Sequence, residues 1–211
     1  VEDGQGNIEE SPRLTAPQRV NHDCRPNADY YFDPVALKHT VQATTMIPAG
    51  SEISITYIDP HMKRDERVQS LNYSWGFPCS CSTCTLSSEQ SRLSDERLAF
   101  VEDLRARFLE EGWENASPQM VETLLAVYEQ ERLYSYVAQA SWFAALVHCA
   151  HGNRWETMRH AHRALEMGKI HEETMANDLD GFGLLELEQL TSEPEREYCW
   201  MQGLKQHETS T

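Results

Sequence analysis

The chain has 211 residues, 40% hydrophobic and 25% charged, a balance that fits one large globular domain or two small ones. No apolar run approaches membrane-spanning length, and Val1 to Gly6 carry neither a basic nor an apolar leader, so neither a transmembrane protein nor a signal peptide is expected. The 34 acids outnumber 18 bases for a net charge of -16, which argues against direct nucleic-acid binding through phosphate contacts. An acidic surface attracts basic partners or simply keeps the chain soluble. Residues 91–211 hold 22 of the acids, so most of the excess lies in the second half.

The first twenty residues show no periodicity and read as loop or disorder. Ala28 to Phe32 reads as a strand, Asp33-Pro34 as a turn, and His39 to Ala43 as the returning strand. Pro48-Ala49-Gly50 is a further turn. It leads into a third strand over 52–58, where Ile53, Ile55 and Tyr57 alternate with Ser54 and Thr56 until Pro60. Lys63 to Leu71 reads as a short charged helix. Thr85 to Ser91 is polar and reads as a linker.

Helical periodicity takes over beyond it. A helix is expected from an N-cap at Ser94 to Gly112, with Leu98, Val101, Leu104 and Phe108 on its apolar face. Ser117-Pro118 predicts the next, with Val121, Leu124, Leu125 and Tyr128 inward. A third is expected from Tyr136 to His151, stopped by Gly152, and a fourth from Arg154 to Glu166, stopped by Gly168. Gly181 and Gly183 interrupt the next stretch, and Glu193-Pro194 predicts another start. Residues 142–168 resemble one imperfect tetratricopeptide repeat, with Thr157 and Ala161 departing from the pattern. Paired antiparallel helices are the firmer reading.

Six cysteines are present, at positions 24, 79, 81, 84, 149 and 199. Cys79-Ser80-Cys81-Ser82-Thr83-Cys84 is CxCxxC, whose spacing lets three thiolates meet one tetrahedral ion. The bland alternative is free or oxidised thiols in a loop. A closed site needs a fourth ligand. Cys24 is the obvious donor, because Cys149 and Cys199 fall in helical patterns without metal spacing, but spacing alone leaves that open. Four thiolates leave no open position, so such a zinc would be structural. His148 with His151, and His160 with His162, read as surface or packing residues. The alternative is a metal site in a helical hairpin, but no carboxylate or cysteine motif frames them.

Three motifs in order carry a resemblance: Val20-Asn21-His22-Asp23-Cys24-Arg25-Pro26-Asn27, then Gly50 to Tyr57, then Phe77 to Cys84. Together they resemble the C-terminal half of a SET-domain protein-lysine methyltransferase and its post-SET segment, in the patterns RxNHSCxPN, GEExxxxY and FxCxCxxC. The SET-and-MYND family and its fungal relatives are most similar, since helices follow the post-SET zinc there. Asp23 stands where that family usually has serine, and Ser51 where it usually has glutamate.

The resemblance implies an α+β fold. A flexible segment would span 1–18, the C-terminal half of the SET domain 19–72, a post-SET zinc segment and linker 73–90, and an all-α, tetratricopeptide-like domain 91–211. It implies S-adenosylmethionine as cofactor, contacted by Asn21, His22 and Phe77. It implies Tyr57 as the tyrosine of the methyl-transfer channel. It also implies Cys24, Cys79, Cys81 and Cys84 as ligands of a structural zinc. The substrate would be a lysine in a histone or non-histone protein, and the location intracellular, nuclear or cytoplasmic. The upstream GxG cofactor motif is expected to be missing, because Gly4-Gln5-Gly6 follows no strand; a MYND finger is likewise not seen. On that reading the chain is a fragment or truncated product with little activity of its own. The rival reading is a non-enzymatic interaction module that keeps a SET remnant as scaffold.

Overall fold

A computed structural model describes residues 19–33, 37–112, 115–168, 184–197 and 199–201. The flexible segment expected over 1–18 and the interruptions at Gly181 and Gly183 lie outside the described residues.

The N-terminal lobe is built from short strands. β1 (Asn21–His22) pairs in parallel with β4 (Ser54–Ile55). β2 (Ala28–Asp33) and β3 (Lys38–Ala43) form an antiparallel hairpin, with Ala28 opposite Ala43 and Asp33 opposite Lys38. The strand expected over 52–58 therefore shrinks to two residues. Ile55 is buried as the alternation requires, but Ile53 is half exposed. Among the described residues only β1 pairs with this strand by hydrogen bonds. Beyond it, the Thr56 hydroxyl donates to the Ile58 carbonyl at 2.6 Å, which turns the chain.

Helix α1 (Arg64–Trp75) runs one turn past the expected Leu71 and ends at Gly76 in the left-handed region, φ 73°. Its first turn is fixed from outside: the Arg64 backbone N–H donates to the Asp95 carboxylate at 2.9 Å. Leu71 and Arg67 are its buried residues.

Helix α2 (Ser88–Glu111) starts earlier than expected. Ser87 is the N-cap, closing a reciprocal box with Gln90 at 3.3 Å in each direction, so the stretch read as a linker holds the first turn. Ser94, expected as the cap, lies inside the helix and is buried. Leu98, Val101, Leu104 and Phe108 face inward as the periodicity requires.

The remaining helices stack by antiparallel pairing. α3 (Pro118–Gln130) is capped by the Ser117 hydroxyl, which accepts from the Met120 N–H. A 3₁₀ turn at Tyr134–Tyr136 leads into α4 (Val137–Ala150). α4 is buried on nearly every side, which marks it as the central helix, with α3 on one flank and α5 (Arg154–Gly168) on the other. Gly152 makes the turn between α4 and α5 at φ 69°. Gly168, expected as a stop, is the last residue of α5. α6 (Leu184–Leu190) packs on α5, and a 3₁₀ turn covers Pro194–Arg196 at the start expected from Glu193-Pro194, with residues 199–201 helical.

One core joins α2, α3 and α4 through Leu98, Val121, Leu124 and Val147. A second joins α4, α5 and the C-terminal residues through Ala145, Ala161, Ala164, Leu187 and Leu190. Within it Cys149 and Cys199 form a disulfide across 50 residues, a link that the cysteine spacing did not announce. A small third cluster surrounds Cys24, Leu71 and Cys84. The combination of small sheets and packed helices is an α+β arrangement. No described helix is long and apolar enough to cross a membrane.

Candidate cofactor and metal site

The loop after β1 is folded onto β4 by its own side chains. The Asn27 carboxamide accepts from the Ser54 N–H and donates to the Glu52 carbonyl, both at 2.9 Å. Asp23 accepts from the Arg25 N–H at 2.7 Å, an Asx turn that drives Cys24 inward to full burial.

The loop after α1 carries the other three cysteines. Thr85 closes it by donating both its backbone N–H and its hydroxyl to the Cys81 carbonyl, at 3.1 and 3.0 Å. Arg64 donates to the Cys84 carbonyl at 3.0 Å, and Arg132 to the Ser82 hydroxyl at 2.9 Å. The two loops bring the Sγ atoms of Cys24, Cys79, Cys81 and Cys84 within 4.8 Å of one another.

These four residues fit a zinc ion. A tetrahedral ion with sulfurs at about 2.3 Å requires S–S edges of about 3.8 Å. Cys24 lies 3.6 Å from Cys84 and 4.0 Å from Cys79, on either side of that value. Charge is already concentrated there. The hydrogen bond from Cys24 pulls the Cys81 thiol down to about 3, and the same bond, with burial, drives Cys24 far up. One thiolate sheltered by neighbouring thiols is the donor chemistry that a soft divalent cation completes by displacing their protons.

His22 links this cluster to an aromatic wall. Its Nδ1 accepts from the Tyr57 backbone N–H at 3.1 Å, so Nε2 carries the proton and donates to Cys24 Sγ at 3.2 Å. Burial lowers the His22 pKa and favours this neutral ring. The Tyr57 ring lies 5.3 Å from His22, 4.4 Å from Trp75 and 6.4 Å, edge-on, from Phe77. The Tyr57 hydroxyl donates to the Val20 carbonyl at 2.5 Å. Asn21, on the exposed side of β1, donates to the Glu52 carboxylate at 2.5 Å.

His22, Tyr57 and Phe77 thus lie together, with Asn21 beside them on β1. Four further residues complete the arrangement: Trp75 on the wall, Asn27 and Glu52 on the β1–β4 edge, and Arg25 behind the cysteines. Arg25 and Asn27 lie within the first motif, where the sequence assigned them no role. Trp75 gave no signal, because the helix that delivers it was expected to end at Leu71. Arg25 is buried, donating to the carbonyls of Cys24 at 2.7 Å and Pro60 at 3.0 Å and to Glu131 at 3.1 Å.

The SET-domain family profile matches residues 2–58. The chain carries SET-domain sequence. Histone-lysine N-methyltransferase set5 of Schizosaccharomyces pombe is 42% identical over 80 residues, 37% of this chain and 25% of that protein. Histone-lysine N-methyltransferase SET5 of Yarrowia lipolytica is 30% identical over 98 residues, 46% of this chain and 21% of that protein. Mouse Histone-lysine N-methyltransferase SMYD3 is 28% identical over 99 residues, 42% and 23% of the two chains. The SET segment is therefore related to both the fungal and the SET-and-MYND proteins, and the match spans about a quarter of those relatives' length. The profile match places β1, β4 and Tyr57 inside SET-domain sequence, with α1 and then the cysteine loop following it.

Proposed function

We propose that this chain forms the C-terminal part of an S-adenosylmethionine-dependent protein-lysine N-methyltransferase whose substrates include histone lysines, acting in the nucleus or cytoplasm. The single observation that carries the reading is the junction at His22, one ring tying Tyr57 on the SET segment to Cys24 of the cysteine cluster. Asn21, His22 and Phe77 hold the cofactor on this reading, and the half-exposed aromatic wall beside a carboxamide fits an adenine base. Cys24, Cys79, Cys81 and Cys84 hold the zinc.

S-adenosylmethionine, when bound, supplies an electrophilic methyl on a sulfonium sulfur, so no covalent nucleophile is needed from the protein. The chain's task is alignment of a neutral amine. The Tyr57 proton is committed to the Val20 carbonyl, which leaves the phenol oxygen free to accept an N–H from the incoming lysine amine. Accepting that hydrogen turns the amine lone pair away from Tyr57 and fixes its direction. Exclusion of water by the aromatic wall lowers the lysine pKa and raises the neutral fraction. The cysteine cluster holds the loop that follows Phe77, and through His22 it also fixes the backbone at Tyr57.

The chain supplies one wall of the cofactor site, so turnover by this chain alone is expected to be far below that of the longer parent. The test is calorimetric titration of both with S-adenosylmethionine, followed by methyl transfer to histones and a lysine-peptide pool. Binding by the parent that is lost in Phe77→Ala supports the reading. A parent that binds no S-adenosylmethionine, or full turnover by the chain alone, overturns it.

A further inference from the structure

The helical lobe holds a second convergence of metal-ligating side chains, distant from the cysteines. Glu122 on α3, His148 on α4, and Glu156 and His160 on α5 bring one donor atom each within 4.8 Å of one another. The Glu122 carboxylate lies 3.1 Å from His148 Nε2 and 2.7 Å from His160 Nε2, and Glu156 lies 3.9 Å from His160 Nε2. Donors at 2.0–2.1 Å from a tetrahedral ion are about 3.4 Å apart, and the observed separations straddle that edge. Glu156 and His160 are four apart on one helix face, while the other two donors come from separate helices. The histidines adopt the paired arrangement across the α4–α5 hairpin, His148 with His160, rather than the sequence-adjacent pairs.

Protons alone satisfy this group badly. His160 Nε2 is 2.7 Å from Glu122, which needs a hydrogen on that nitrogen, and 2.8 Å from the Arg159 guanidinium, which needs a lone pair there. One nitrogen cannot do both. The other nitrogen of the same fully buried ring, Nδ1, has no partner among the described residues, so Nε2 carries the ring's polar contacts there. The Glu122 oxygen is likewise shared by two imidazoles and by Arg159 at 3.2 Å. Among the described residues the cation serving the group is Arg159, half exposed and paired with Glu156 at 2.6 Å and Glu122 at 3.2 Å, so a metal ion would take its place on both carboxylates.

We propose that Glu122, His148, Glu156 and His160 form a second metal site, which takes a divalent d-block cation such as zinc and pins α3, α4 and α5 together. Two imidazoles and two carboxylates suit such an ion, and its double charge neutralises the two carboxylates where Arg159 supplies one charge. The imidazoles form a buried floor, and the half-exposed carboxylates leave an entry from solvent. The Asn153 carboxamide, 3.3 Å from His148 Nδ1, is placed to fix that ring from behind, accepting from Nδ1–H once its amide is rotated. The site does not depend on the methyltransferase reading.

The experiment loads the full chain with one equivalent of zinc, then titrates it with zinc by calorimetry and with cobalt by absorption. A second equivalent should bind, and cobalt there should give d–d bands without the thiolate charge-transfer band of a cysteine site. The thiolate band reports the cysteine cluster separately, so failure of either site is visible by itself. Glu156→Gln, on a half-exposed carboxylate, should weaken the second equivalent at least about tenfold. Arg159→Ala, which removes the competing cation, should bind it as tightly or more tightly. His148→Gln provides a second ligand variant, and circular dichroism verifies that each variant is folded. No second equivalent in wild type or Arg159→Ala overturns the proposal, as does a second equivalent that Glu156→Gln and His148→Gln leave unchanged.

Discussion

On the proposed reading Tyr57 acts through one oxygen. If that oxygen accepts the lysine N–H, then Tyr57→Phe in the proposed methyltransferase should lower kcat on the order of 100-fold, the effect of removing one positioned polar group. Cofactor affinity should hold, because the ring and its contacts with Trp75 and Phe77 stay. Steady-state methyl transfer with a parallel binding titration measures both, and wild-type turnover in the variant would reduce Tyr57 to a packing aromatic. Cys81→Ser should lose the zinc equivalent and lower Tm, measured by elemental analysis and calorimetry; full zinc at unchanged stability would remove the metal from this cluster. In the sequence the second motif carried Tyr57, the CxCxxC spacing Cys81, and the first motif His22 and Cys24. The connection between them, through the two nitrogens of His22, was not legible, because it depends on which atom faces which strand.

At the scale of elements, periodicity located the buried faces better than the boundaries. Leu98, Val101, Leu104 and Phe108 are inward on α2, yet its start was misread by about two turns. Ser94-Asp95-Glu96 has the composition of a helix start, but Ser87 and Gln90 close the real cap, and Ser94 and Asp95 serve tertiary contacts instead. The strand at 52–58 read as long because alternation reports a half-buried surface, not the presence of a pairing partner. Glu131, just past α3, gave no sequence signal, because its partners Arg25, Ser94 and Arg97 lie far away along the chain.

Burial pushes the Glu131 carboxyl up, but hydrogen bonds from Ser94, Arg97 and Arg25 outweigh it and hold the group below its ordinary 4.5. A carboxyl depressed in the fold contributes stability that is present above its unfolded pKa and lost as pH falls through the folded one. Denaturation midpoints should therefore decline as pH drops below about 4.5, and Glu131→Gln should flatten that decline. At pH 7 the variant should be less stable by about 3 kcal/mol, since Arg25 stays buried with a weakened partner. Urea melts across pH measure both, and an unchanged slope would remove Glu131 from the acid response.

Over the whole molecule, two fastenings hold segments distant in sequence. The Cys149–Cys199 disulfide ties the central helix to the C-terminal residues across 50 positions. Closing a loop of that length constrains the unfolded chain by on the order of 4 kcal/mol, so reduction should lower Tm by roughly 10 °C. Thermal melts with and without reductant, beside Cys149→Ala, test it; identical melts would show that the bond adds nothing. The second fastening is Arg25, whose guanidinium holds both the Cys24 carbonyl and Glu131. The peptide that presents the Cys24 sulfur thus also closes the buried charge at the end of α3, and the two events share one free energy. Such linkage is reciprocal. If the cysteine cluster holds zinc, chelating it should speed amide hydrogen exchange around Glu131, and Glu131→Gln should raise the zinc dissociation constant. Exchange at α3 that ignores the chelator would mean that Arg25 transmits nothing between the lobes.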